Sequence, residues 1–135
     1  MGGIFMARSL TIPIQSFPKG WFVTWEVSSQ CYNNGIIQIK AGETILGEFQ
    51  KTDHSTQVQF LGNGSAFLPS QDITVHIAII EGTEDQPIYE RHNVSMILNN
   101  KGDTVGGTIG ICIEDGYDQD FNDFFISLAG WPSQG

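Results

Sequence analysis

The chain has 135 residues, 40 % of them apolar, with 16 Gly and 5 Pro and no long Leu/Ala/Glu/Lys-rich stretch. That length suits one domain with a real core, built from short strands and turns rather than helices. The formal charge of −9, from 15 acids against 6 Lys and Arg, repels a phosphate backbone, and with no basic patch it excludes nucleic acid as a partner.

The N-terminus, Met1-Gly2-Gly3-Ile4-Phe5-Met6-Ala7-Arg8, lacks a basic start followed by a long apolar run. The expectation is a protein that is cytoplasmic or exported without a recognisable signal peptide. No apolar stretch approaches the ~18 residues of a membrane helix, so no membrane insertion is expected.

From Trp21 onward the dominant period is two. Trp21, Val23, Trp25 and Val27 alternate with Phe22, Thr24 and Glu26; Ile37 and Ile39 alternate with Gln38 and Lys40. Val58 and Phe60 alternate with Gln57 and Gln59; Val75, Ile77 and Ile79 alternate with Thr74, His76 and Ala78. Each predicts a strand with one packed and one polar face. Turn signals separate them: Asn33-Asn34-Gly35, Ala41-Gly42-Glu43, Gly62-Asn63-Gly64 ahead of a strand Ser65–Leu68, and Asn99-Asn100-Lys101-Gly102-Asp103 between His92–Leu98 and Val105–Ile113. The pattern predicts an all-β fold: an antiparallel β-sandwich of about nine strands in one domain spanning 1–135. Cys31 and Cys112 are too few for a disulfide scaffold and have no zinc-ligand spacing; they are either free thiols or one bridge. His54, His76 and His92 also lack ligand spacing, and Trp21, Trp25 and Trp131 are expected in core or interface.

The chemistry concentrates in Glu114-Asp115-Gly116-Tyr117-Asp118-Gln119-Asp120-Phe121-Asn122-Asp123, between the apolar strands Thr108–Ile113 and Phe124–Leu128. A loop this rich in carboxylates opposes its own closure. Two unit charges 4 Å apart repel by about 4 kcal/mol at an effective dielectric of ~20. A cation relieves that, and hard oxygen ligands without His or Cys select calcium. An EF-hand fails: Asp118, Asp120 and Asn122 fit its first, third and fifth positions, but Asp123 stands where Gly belongs and Ala129 where the closing Glu belongs. Glu114, Asp118, Asp120 and Asp123 supply four negative charges, enough to neutralise two calcium ions that share Asp120 and Asp123.

This segment resembles the C-terminal signature of the small calcium-dependent bacterial lectins that bind fucose and mannose, the fucose-binding lectin II family. That signature reads Glu-Asp-Gly-x-Asp-x-Asp-aromatic-Asn-Asp, a hydrophobic strand, Trp-Pro and a terminal Gly. Here it is matched by Glu114–Asp123, Phe124–Leu128, Trp131-Pro132 and Gly135. Thr11-Ile12-Pro13 resembles the family's first strand. The resemblance implies a sandwich with two adjacent calcium ions per subunit, bridged by the sugar. In that picture Glu114 and Asp118 hold the first ion, Asp120 and Asp123 touch both, Asn122 holds the second, and Asp115 hydrogen-bonds a sugar hydroxyl. The family also uses an early loop, matched by Val27-Ser28-Ser29-Gln30. Aligning its serines puts Val27 at a carbonyl ligand position and Ser28 and Ser29 at the sugar; a one-residue shift gives the carbonyl role to Ser28. The family's terminal carboxylate reaches a neighbour's calcium, which implies a homo-dimer or tetramer with Gly135 completing the neighbour's site. This tail, Trp131-Pro132-Ser133-Gln134-Gly135, is one residue longer than the family's.

The expected function is therefore a non-enzymatic lectin for fucose- and mannose-containing glycans, acting at a cell surface or extracellularly. Its rivals are a structural calcium module without a sugar ligand and, more remotely, a glycosidase using two of the carboxylates as acid and base.

Overall fold

A computed structural model describes residues 8–15, 17–82, 86–116 and 120–135. Among these residues nine strands form: β1 (Arg8–Gln15), β2 (Phe22–Ser29), β3 (Gly35–Ala41), β4 (Thr44–Lys51), β5 (Gln59–Phe67), β6 (Asp72–Ile79), β7 (Tyr89–Leu98), β8 (Thr104–Glu114) and β9 (Phe124–Trp131). They make a four-stranded sheet in the order β1-β6-β3-β4 and a five-stranded sheet in the order β5-β2-β9-β8-β7, with every pairing antiparallel. No helix among the described residues is long and apolar enough to cross a membrane.

The period of two places the core. Val23, Trp25 and Val27 from β2, Ile37 and Ile39 from β3, and Ile73, Val75, Ile77 and Ile79 from β6 are all buried. Ile109, Ile111 and Ile113 of β8 and Ile126 and Leu128 of β9 lie in the same sheet as β2, and together with its buried side chains they face those of β3 and β6 across the sandwich. Fully burying each such side chain favours folding by about 1.5–3 kcal/mol, and their β-branched shapes suit a pleated surface. Trp25 lies in this core; Trp21 is half-buried, stacked on Phe17 at 5.7 Å, and Trp131 is exposed.

Two expectations are corrected around β5. Gly62-Asn63-Gly64 is not a turn but the middle of that strand, so no separate strand starts at Ser65. Its glycines answer to neighbouring rings instead. A Cβ on Gly62 would lie 2.6 Å from the Phe49 ring, and one on Gly64 2.6 Å from the Trp25 ring. Val58 and Phe60 are also exposed rather than packed, at 64 % and 79 %. Val58 precedes the strand, and a register shift between Val27 and Ser28 of β2 leaves Phe60 paired with Ser28 on this edge strand while Leu61 packs against the core.

Candidate functional site

The β8–β9 connection builds the site. The two strands pair up to Ile113↔Phe124, and Asp123 N donates to Ile113 O at 3.1 Å. The ladder therefore brings Glu114, at the end of β8, beside Asp123, just before β9. Both are nearly inaccessible, at 1 % and 8 %. Asp120 is exposed above them, and one carboxylate oxygen from each of Glu114, Asp120 and Asp123 lies within 4.8 Å of the others. Of the predicted ligands, Asp118 lies outside the described residues.

Backbone amides organise these acids. Glu114 Oε2 accepts from Gly116 N at 3.0 Å and its Oε1 from Phe121 N at 3.1 Å. Phe121 holds a left-handed backbone, φ 55°, which a bulky residue adopts only when the surroundings impose it. Its ring lies under the Arg91 guanidinium, 5.3 Å from the centroid. Asp123 Oδ2 accepts from Asp115 N at 2.8 Å. Asn122 N donates to Asp120 Oδ1 at 3.4 Å, and its side-chain amide sits 2.7 and 3.1 Å from the two Asp120 carboxylate oxygens. The amide nitrogen donates there.

Burial pushes the Asp123 carboxyl up to about 8, helped by carboxyl–carboxyl hydrogen bonds to Asp115 and Glu114 and by the Asp115 charge; the Asp115 amide only partly opposes this. Burial likewise pushes the Cys31 thiol far up, with the Asp115 and Asp123 charges adding to it. Cys31 and Cys112 are both free.

The early loop meets this cluster. β2 pairs with β9 through Val27↔Ile126, Ser28↔Phe125 and Ser29↔Phe124, and Gln30 N donates to Asp123 O at 2.9 Å. Each step along β2 thus approaches the carboxylates, and Ser28 lies nearer to them than Val27. Val27 is fully buried, Ser28 half-buried, and Ser29 is 1 % exposed with its hydroxyl unpartnered. Gly135 is exposed at the opposite end of β9. Eight residues of strand put about 25 Å between it and Asp123, so it cannot serve its own subunit's loop.

Three supporting residues carry no local sequence signal. Arg8 is 3 % exposed; its Nη1 donates to Asp115 O at 2.6 Å and its Nε to Glu81 O at 2.9 Å. Asn33 Nδ2 donates to Asp115 Oδ2 at 3.2 Å, and Cys31 is buried beside the same carboxylates. Arg8 and Asp115 are 107 positions apart, and only strand order could have joined them. Asp115 itself is 8 % exposed.

The donor set fits calcium. With metal–oxygen distances of about 2.3–2.6 Å, two oxygens on opposite sides of one ion are at most about 5 Å apart, and the observed spread is 4.8 Å. A buried carboxyl that keeps its proton to about 8 is one whose charge the protein leaves poorly compensated.

No protein-family model matches the chain, and no curated protein does. Solved structures match in fold. A high-affinity mannose-binding lectin from Ralstonia solanacearum is 21 % identical with a TM-score of 0.69, covering 88 % of this chain and 95 % of that one. The C-terminal domain of a Burkholderia cenocepacia lectin is 19 % identical with a TM-score of 0.65, covering 93 % and 99 %. A Chromobacterium violaceum lectin in complex with alpha-methyl-fucoside is 17 % identical with a TM-score of 0.62, covering 88 % and 95 %.

Proposed function

We propose that this protein is a calcium-dependent lectin that holds fucose- or mannose-type sugars by direct coordination of their hydroxyls to two adjacent calcium ions. The observation that carries the reading is the convergence of Glu114, Asp120 and Asp123 oxygens within 4.8 Å, on a fold shared with a mannose-binding lectin and with a lectin solved with a fucoside. Glu114 and Asp118 would hold the first ion, Asp120 and Asp123 both, and Asn122 the second. A backbone carbonyl of the early loop, that of Val27 or, with a one-residue shift, of Ser28, completes the set. Calcium supplies open coordination positions that vicinal hydroxyls fill as neutral oxygen ligands.

The chain's own residues do the rest. Glu114 and Asp123, fixed by backbone donors, keep the oxygens converged, so little order is lost on binding. Asp115, Ser28 and Ser29 are the candidates for hydrogen bonds to the sugar. The use made of the acids is binding rather than acid–base turnover, because all of them come from one connection and three of them bring oxygens within 4.8 Å of one another. Gly135, remote from its own loop, would serve a neighbouring subunit in a homo-dimer or tetramer, and several sites per assembly give avidity on glycan-bearing surfaces. Retention on mannose- or fucose-agarose in calcium, with release by EDTA, is the expected behaviour. Flow-through on both resins by folded, calcium-loaded protein would leave the structural calcium module as the better account.

A further inference from the structure

Next to the carboxylates stands an aromatic pair that the calcium chemistry does not use. Tyr32 is 59 % exposed, yet it is held in place. Its ring lies parallel to the His54 imidazole, with centroids 4.7 Å apart and planes inclined by 18°. Its carbonyl accepts from the buried Lys51 ammonium at 3.2 Å. His54 is fixed in turn: its backbone N donates to Asn34 Oδ1 at 3.1 Å, and its Nε2 lies 3.2 Å from Asn34 Nδ2 and against Glu81 Oε1. Asn34 N completes the frame by donating to Glu81 Oε2 at 2.8 Å. One face of the tyrosine is thus covered by a braced imidazole while much of the residue stays open to solvent.

Its position follows from the same turn. Asn33, the next residue, donates to Asp115 Oδ2 at 3.2 Å, and Cys31, the preceding one, is buried beside Asp115 and Asp123. The ring pair therefore borders the calcium loop. A pre-ordered tyrosine offers flat, amphipathic area with few rotors to freeze, which matches a pyranose: C–H groups on its faces and hydroxyls on its rim.

We propose that the Tyr32–His54 pair is a second sugar contact, receiving the next unit of an oligosaccharide whose first fucose- or mannose-type unit is held at Asp120 and Asp123. This rests on the lectin reading and deepens it, because the ligand class becomes an oligosaccharide rather than a free monosaccharide. Tyr32 touches the sugar; His54 is a positioning residue.

The test compares methyl α-mannoside and methyl α-fucoside with a panel of mannosyl and fucosyl di- and trisaccharides, by calorimetry in calcium. The expected result is at least one oligosaccharide bound about 3- to 10-fold more tightly than its methyl glycoside. Tyr32→Ala abolishes that gain while methyl-glycoside affinity stays within about twofold; Tyr32→Phe keeps the gain; His54→Ala loses part of it and His54→Phe restores it. The inference is overturned if no oligosaccharide exceeds its methyl glycoside, or if Tyr32→Ala weakens both ligand types equally. Failure of wild-type protein to bind either methyl glycoside overturns the lectin reading itself, an outcome distinct from the other two.

Discussion

Two groups of carboxylates share one end of the sandwich and are treated in opposite ways. Asp53 and Glu81 are supplied by the protein. Gln59 and the Ser55 amide, with Lys51 adding, hold the Asp53 carboxyl below its ordinary value. Burial works to raise Glu81, but His54 and the Asn34 amide outweigh it and hold that carboxyl down as well. Asp123 receives one amide hydrogen bond and three acidic neighbours, and goes up to about 8. The first group is complete as the chain folds. The second is left poorly compensated by the chain itself, which is what the proposed calcium site requires.

The comparison is broken most severely at Asp123. Asp123→Asn removes an oxygen ligand of the pair and is expected to weaken calcium binding, and calcium-dependent sugar binding with it, by more than about 100-fold; calcium titration followed by calorimetry checks this. In excess chelator the same substitution has the opposite sign for stability. A carboxyl ordinarily near 3.8 and raised to about 8 in the fold contributes stability that is fully present below about 4 and is lost as pH rises through about 8. The melting temperature of Asp123→Asn minus that of wild type, measured without calcium, should therefore grow between pH 5 and 8, and saturating calcium should reverse the difference.

A control on the fold alone comes next in size. Gly64→Val forces side-chain atoms against the Trp25 ring, where a Cβ already meets it at 2.6 Å, and should cost about 1–3 kcal/mol of stability with calcium affinity unchanged. Denaturant unfolding beside a calcium titration separates the two effects. The smallest change is expected from Glu81→Gln in the supplied group. Glu81 is held down, so its contribution is present above the ordinary glutamate value and lost as pH falls through the folded one. Wild type should exceed this variant slightly in melting temperature near pH 7, the gap should close toward pH 3, and calcium affinity should not move.

How far the sequence reached depends on whether a feature is local. The all-β class and the buried faces of β2, β3 and β6 were legible because alternation is written residue by residue. The Glu114–Asp123 loop was legible because its charges are consecutive, and the structure brings three of its acids together. Gly62 and Gly64 misled because the rings that exclude a side chain there, Phe49 and Trp25, come from β4 and β2. Phe60 misled because its face is decided by an extra residue in β5, Leu61, where the register against β2 shifts between Val27 and Ser28. Arg8 and Asn33 beside Asp115, and the pairing of Tyr32 with His54, depend on strand order, which no local pattern carries.

The central claim, that the poorly compensated acids hold calcium and the calcium holds sugar, is tested most directly by calorimetric titration of the intact protein with methyl α-mannoside and methyl α-fucoside, first in calcium and then in excess chelator. The account predicts saturable binding of at least one of them in calcium, near one sugar per chain, that vanishes in chelator and returns when calcium is restored. Binding that survives chelation, or no binding to either sugar by folded protein shown to carry calcium, would contradict it.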